Sequence, residues 1–398
     1  MGKHNNLTST SVWTDLRKFA KANNVHKAEL RQLKTLLHQH INASGRQSDA
    51  WMLGTFFSGW ESVRMALEDL GLEHGKDYVQ MFSVESDTAC QKIIEANFEM
   101  HPKHQMHSHI ESVDIRKLPS VDCFQFSPPC QPFSASGDLL GGEDARAALW
   151  TYALKYIKLH RPRLFIMENV WTLVQRFPLE FQNMLKSFRR VCKSAYLVQH
   201  MDWNAKEHGS PSNRPRVIIL GFDRDGSELG KLPLQVPPPI PCPRLALFLD
   251  LDDVGDDLPD DSVRIRNLVC GLSKILEKKR NPFLEHWAID AYASPSRNYC
   301  VKNRLPCITK VRGSTGGFWL TKLNRMTNIS ELVRVQCGAH RKLKIPDGVS
   351  ARQVGGMAGN AISVSVLVRL LSRALPAACL TGPWLNAEDG PRGRGKEF

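Results

Sequence analysis

An α/β fold built on a mostly parallel sheet, with helices on both faces, is the architecture this sequence predicts. Two observations carry it. From Met52 onward, short β-branched and aromatic runs alternate with segments whose apolar residues recur at helical spacing, and repeated strand, helix, strand units close as parallel sheets. The run Leu164-Phe165-Ile166-Met167 is apolar at every position, as a strand covered on both faces must be.

The chain has 398 residues, 42% hydrophobic and 23% charged, which gives material for two or three ordinary globular domains. No apolar run approaches the ~18 residues of a membrane span, and no charged-then-apolar leader opens the sequence. The expectation is an intracellular protein with no membrane partner, nuclear if the host is eukaryotic. Ten cysteines lie between Cys90 and Cys379 without a Cys-x-x-Cys pair or a Cys/His ligand spacing, so neither a disulfide framework nor a metal site is expected. A net charge of +13 is an attractive field for a polyanion.

Residues 1–50 read as a basic helical extension. Between Trp13 and His40, Leu30, Leu33, Leu36 and Leu37 share one stripe, which suits a helix packed on the body or a nucleic-acid arm. Residues 51–230 form the main domain. Its first strand runs into Phe56-Phe57-Ser58-Gly59-Trp60-Glu61-Ser62, followed by a helix with Val63, Ala66, Leu67 and Leu70 on one face and Gly71 as its stop. A strand at Val79 to Val84 ends in Glu85, an acidic residue placed for ribose hydroxyls or for the surface. A helix at Thr88 to Phe98 and a turn at Val113-Asp114-Ile115 follow.

Val121 to Phe126 reads as a buried strand that stops at a proline pair, delivering Ser127-Pro128-Pro129-Cys130-Gln131-Pro132-Phe133-Ser134 onto a rigid loop. Cys130 is thereby a thiol fixed at a strand end, where open parallel sheets bind their ligands; a plain buried thiol is the other reading. Gly137 to Gly142 is small and mobile in composition, and Ala145 to Leu159 predicts a helix. The strand Leu164 to Met167 then presents Glu168-Asn169-Val170; a carboxyl behind four apolar residues is desolvated, which favours its neutral form, and an exposed strand-end carboxylate is the other reading.

Two further strands, Tyr196 to Asp202 and Arg216 to Phe222, flank a polar turn holding Arg214 and Arg216. Spaced by one residue, these point to the same side of the sheet and suit a phosphate, a base carbonyl or an ion pair. Six prolines between Lys231 and Pro243 and seven aspartates between Asp250 and Asp261 make residues 231–261 a stiff linker whose acidic run is expected to turn away from nucleic acid. Residues 262–345 read as a smaller mixed domain. Residues 346–385 return to the first domain through a helix at Ala361 to Leu371, and 386–398 form a disordered tail.

Taken in order, Phe57-x-Gly59, Glu85, Asp114, the Pro-Pro-Cys130 loop, Glu168-Asn169-Val170, Arg214-x-Arg216 and Gly359-Asn360 resemble the cytosine-5 methyltransferase family over residues 52–222 and 305–371. The stretch from Ser136 to Leu149 is similar to that family's mobile catalytic loop. The resemblance implies a Rossmann-like, S-adenosylmethionine-dependent methyltransferase fold with a smaller target-recognition domain. It implies that Cys130 attacks carbon 6 of a cytosine while protonated Glu168 holds ring nitrogen 3, Arg216 steadies the base carbonyl and Arg214 supports the loop. Carbon 5 then takes the methyl group of S-adenosylmethionine, leaving S-adenosylhomocysteine. The implied partner is double-stranded DNA, bound by a monomer, with the target cytosine flipped out of the stack. Implied cofactor contacts are Phe57, Ser58, Gly59 and Trp60 at the first turn, Glu85 with Ser86 at the ribose, Asp114 with Ile115 at the adenine, Leu149, and Asn360 with Ala361.

The sequence also departs from the family. Where the family has Asp-x-Phe-x-Gly-x-Gly-Gly, this chain has Thr55-Phe56-Phe57-Ser58-Gly59-Trp60-Glu61-Ser62, and Glu61 is expected to oppose the methionine carboxylate of the cofactor unless it points away. Ser212 replaces a Gln, and Val335-Gln336-Cys337-Gly338-Ala339 replaces Leu-Gln-Gly-Phe-Pro. Two alternatives follow: the same chemistry on transfer RNA, whose family branch carries a Cys-Phe-Thr tripeptide that is not found in this smaller domain, or a catalytically inactive nucleic-acid-binding regulatory homologue.

Overall fold

In the computed structural model, which describes residues 50–130, 148–227, 233–255, 261–293 and 300–382, the alternation of the main domain becomes one seven-stranded sheet. Its strands are β1 (Trp51–Phe56), β2 (Tyr78–Val84), β3 (Gln105–His107), β4 (Cys123–Phe126), β5 (Leu164–Val170), β6 (Tyr196–Asn204) and β7 (Pro215–Asp223), in the order β3-β2-β1-β4-β5-β7-β6. The first five pair in parallel, and β7 lies antiparallel between β5 and β6. Strand order reverses between β1 and β4, which opens a crevice at their carboxyl ends.

Both faces of the sheet are covered, and the strands show why. Along β5, Leu164 and Ile166 enter one core while Phe165 and Met167 enter the other, the period of two that a pleated strand imposes. The first core packs on α1 (Ser62–Asp69) and α2 (Thr88–Asn97). The second packs on α3 (Trp150–His160) and α5 (Pro178–Arg190), with the short α4 (Thr172–Arg176) leading into α5. Helix α1 ends as expected: Gly71, at φ 81°, returns its amide to the Glu68 carbonyl at 2.9 Å. Asp87 caps α2 through the Ala89 amide.

The smaller region holds α6 (Ser262–Glu277), packed on a four-stranded antiparallel sheet of β8 (Trp287–Ile289), β9 (Cys300–Lys302), β10 (Trp319–Leu320) and β11 (Arg325–Met326), ordered β11-β10-β8-β9. Then come α7 (Lys310–Ser314), α8 (Ile329–Cys337), α9 (Ala351–Asn360) and α10 (Val364–Ala377), the last completing the first core. Helices α7 and α9 touch backbone to backbone: a Cβ added to Gly313 would lie 1.8 Å from the Gly355 carbonyl oxygen.

Several expectations are corrected. The returning segment is two helices, α9 and α10, rather than one from Ala361, and Ala361 is extended at the break between them (φ −65°, ψ 151°). The helix expected from Ala145 begins at Trp150; residues 145–147, the 137–142 loop, the extension up to residue 49 and the tail lie outside the described residues. In the aspartate run, Asp250 and Asp253 pair with Arg334 and Arg325 at 2.7 and 3.1 Å. Among the described residues, no single helix is long and apolar enough to cross a membrane.

A candidate active site at the carboxyl ends of the sheet

Cys130 stands four residues beyond β4, on the proline loop. The loop is tied at two points: the Ser127 amide donates to the Phe56 carbonyl at 3.3 Å, and Asn169 Nδ2 donates to the Pro128 carbonyl at 3.3 Å. Asn169 Oδ1 in turn accepts from the Val170 amide at 2.8 Å. Because Asn169 follows Glu168 on β5, these bonds fix the thiol loop against the strand that carries the carboxylate.

Glu168 is buried, and Arg216 Nε comes within 2.8 Å of its Oε1. The approach is off the line of a hydrogen bond, so Oε1 keeps its acceptor capacity. Burial pushes the Cys130 thiol above the ordinary thiol range; the Arg216 and Arg214 guanidiniums pull it down, and Glu168 adds to the upward shift. A small cavity of about 10 Å³, enough for one water, is lined by Glu168, Arg214, Arg216, Trp203 and Ile218. The four residues expected to carry the chemistry are therefore brought together.

Arg214 does a different job from its neighbour. It is fully buried, with Nη1 donating to the Ile308 carbonyl at 2.7 Å and Nη2 to the Gly359 and Ala361 carbonyls at 3.0 and 2.6 Å. Gln336 Nε2 reaches the Ala358 carbonyl at 2.6 Å, and its Oε1 accepts from Ser363 Oγ at 2.9 Å. Together they hold the α9–α10 break. Asn360 is exposed there, whereas Ala361 is packed into the core.

At the first turn, Phe57, Gly59 and Glu61 all have left-handed backbones, with φ of 56°, 58° and 62°. Gly59 donates its amide to Glu85 Oε2 at 2.7 Å, and a Cβ on Gly59 would meet no atom within 4 Å. Open space over a glycine, beside a strand-end carboxylate, fits S-adenosylmethionine. The Glu85 carboxyl is raised by burial, against the pull of the Asp87 and Gly59 amides. Ser58 is buried with its hydroxyl 2.7 Å from Thr55 Oγ1, and Ser86 is exposed. The Trp60 indole is in the core, bonded to Ser62 Oγ at 3.0 Å, so only its backbone faces the turn. Glu61 points away from the turn's open side, into the core between β1 and β2.

Asp114 is engaged by Arg116, with Nε and Nη2 donating at 2.9 and 3.0 Å, and no contact joins it to Glu85 or Gly59 among the described residues. Ile115 is buried, and Leu149 packs at the second core. Sequence reasoning missed the Asn169 tether, the Gln336 clamp and Cys307. Cys307 lies 3.8 Å from Arg214 Nη1 and acts on the charge of Arg216; its context, Cys307-Ile308-Thr309, differs by one residue from Cys-Phe-Thr.

The sequence model of the C-5 cytosine-specific DNA methylases matches residues 52–375. The chain is 29% identical over 318 residues to the type II methyltransferase M.HaeII of Haemophilus aegyptius, covering 78% of this chain and 88% of that one. It is 28% identical to M.NgoBI of Neisseria gonorrhoeae, with 78% and 89% covered. Among solved structures, the methyltransferase EhMeth of Entamoeba histolytica superposes with a TM-score of 0.55 at 17% identity, covering 82% of this chain and 98% of that one. A mutant DNMT2 of Spodoptera frugiperda gives 0.51 at 17% identity, with 81% and 98% covered.

Proposed function

Because the chain belongs to the C-5 cytosine-specific DNA methylases, we propose that it methylates carbon 5 of cytosine in DNA through a covalent adduct of Cys130 with a flipped-out base. The observation that carries the reading is the convergence of Cys130, Glu168 and Arg216 at the ends of β4, β5 and β7.

Bound S-adenosylmethionine supplies the methyl group. Residues that would hold it are Gly59 with its flanking backbone, Glu85, and the exposed Asn360 at the α9 terminus. Burial pushes the Cys130 thiol up, so its proton passes to solvent as sulfur bonds to carbon 6, and the electron pair of the 5,6 double bond moves to carbon 5. The two guanidiniums favour the charge that develops on sulfur. Glu168 would meet ring nitrogen 3 and offset the charge spreading into the ring there. Arg216 steadies both Glu168 and the base carbonyl. Solvent then takes the carbon-5 proton, the electron pair re-forms the 5,6 double bond and expels sulfur as the thiolate, and a proton from solvent restores the thiol. Carbon 6 is shielded inside a duplex, so the cytosine has to leave the stack.

Transfer RNA is the second reading, favoured by Cys307-Ile308-Thr309 beside the two arginines. Covalent trapping separates the two. The protein and a Cys130→Ala control are incubated with S-adenosylmethionine and either duplex DNA or transfer RNA carrying 5-fluorocytosine, whose fluorine cannot leave as a proton does. A denaturation-resistant adduct with DNA alone, absent from the control, is the expected result. An adduct with RNA alone moves the protein to the second reading, and no adduct with either overturns the covalent mechanism.

A further inference from the structure

The first turn carries two departures from the family pattern that meet in space. Thr55 stands where the family has Asp, and Glu61 where it has Gly. In the structure, Thr55 Oγ1 donates to Glu61 Oε1 at 2.7 Å. The same oxygen accepts from Gln80 Nε2 at 2.7 Å and from Ser83 Oγ at 2.8 Å. Glu61 is fully buried, and its Oε2 has no hydrogen-bond partner. A carboxyl has thus been moved from the end of β1 to the head of α1 without leaving the space beneath the turn.

The move is sterically unfavourable in one respect. At φ 62° Glu61 occupies the left-handed region that a Cβ disfavours and glycine enters freely. Its side chain offsets this by reaching both strands, Thr55 on β1 and Gln80 and Ser83 on β2. Its backbone ties the turn to the helix: the Glu61 amide donates to the Ser58 carbonyl at 3.0 Å, and the Arg64 amide donates to the Glu61 carbonyl at 3.0 Å. A glycine would permit this shape among many others, whereas Glu61 selects it. A site already in its bound shape loses less freedom when a ligand arrives.

We propose that Glu61 is a positioning residue that holds the β1–α1 turn ready for the cofactor, with Thr55 and Glu61 together replacing the Asp and Gly of the family. This rests on the reading that the turn binds S-adenosylmethionine. Burial pushes the Glu61 carboxyl up, against the pull of Thr55, Ser83 and Gln80, so an uncharged glutamine is a close mimic that retains the triply bonded oxygen.

The test is titration calorimetry of S-adenosylhomocysteine against the full chain, paired with thermal melting of the unliganded protein. Glu61→Ala and Glu61→Gly are expected to weaken binding by about tenfold, with a more unfavourable binding entropy. Glu61→Gln should stay within about threefold of the wild type. Thr55→Asp combined with Glu61→Gly should recover most of what Glu61→Gly loses, because it restores the carboxyl at its other position. A lower melting temperature with unchanged affinity in Glu61→Ala would make the residue merely structural and overturn the proposal. If that variant does not fold, Ser83→Ala and Thr55→Val each withdraw one donor, and unchanged affinity in both overturns it equally. Wild-type protein that binds no S-adenosylhomocysteine sinks the cofactor reading itself, a result distinct from binding that ignores Glu61.

Discussion

Asn169 Nδ2 donates to the Pro128 carbonyl at 3.3 Å, joining two segments 41 residues apart. Through this bond the loop that bears Cys130 and the strand that bears Glu168 move as one. Asn169→Ala removes the side-chain partner of the buried Pro128 carbonyl and of the Val170 amide, which is expected to cost about 1–3 kcal/mol. Turnover should fall by more than stability alone explains, because the thiol loses its alignment with the carboxyl. Urea denaturation and single-turnover rates on one preparation check both expectations.

The Arg216 guanidinium is a cation beside both Glu168 and the Cys130 thiol. Burial raises the thiol and the arginine opposes it, so Arg216→Ala should push Cys130 higher still. Alkylation of Cys130 by iodoacetamide, followed by peptide mass spectrometry, should quicken with rising pH in the wild type. At pH 8 the variant should react at roughly a third of the wild-type rate or less. Equal rates would mean that the guanidinium does not act on sulfur.

Arg214 is expected to behave as a structural cation. Arg214→Met strips a buried donor group from the carbonyls of Ile308, Gly359 and Ala361, and the combined loss should reach at least ~3 kcal/mol. Arg216→Met, by contrast, removes one ion-pair partner and should act more on rate than on the urea midpoint.

Acid should weaken the fold before any carboxylate chemistry is reached. His74, His104 and His208 are each held down to about 4 by burial, from an ordinary 6.5. The unfolded chain therefore binds these protons first as pH falls, so their contribution is full above 6.5 and is lost progressively toward 4. Glu61 and Glu85, raised by burial, act in the opposite sense above 4.5. Comparing urea midpoints at pH 7 and pH 5 for the wild type and His104→Gln isolates the histidine, and the variant should lose less on acidification.

The parts legible in the sequence were those whose cause is local. The apolar run of β5, the glycine stop of α1 and the proline-bound Cys130 announce themselves within a few residues. Helix α9 does not, because Gly355, Gly356 and Gly359 argue against a helix until Gly313 is seen against Gly355. The strands of the small sheet are two or three residues long, too short for a period of two to show. The direction of Glu61 depends on Gln80 and Ser83, about twenty positions away. The partners of Asp250 and Asp253 were not legible because their arginines lie more than seventy residues later. The tether at Asn169 was in plain view, but only its partner gives it a meaning.

The clamp of Arg214 on Ala361 spans 147 residues of chain. A ribosome adding about 5–20 residues per second takes roughly 7–30 s to deliver the second after the first. During that interval β7 can pair with β5 and β6, while the guanidinium destined for the interior lacks all three carbonyls until Ile308 is added, 94 residues on, and lacks those of Gly359 and Ala361 until the end. The nascent protein thus carries an exposed cation where the finished one has a sealed joint, and the site matures last, with the arrival of α9 and α10.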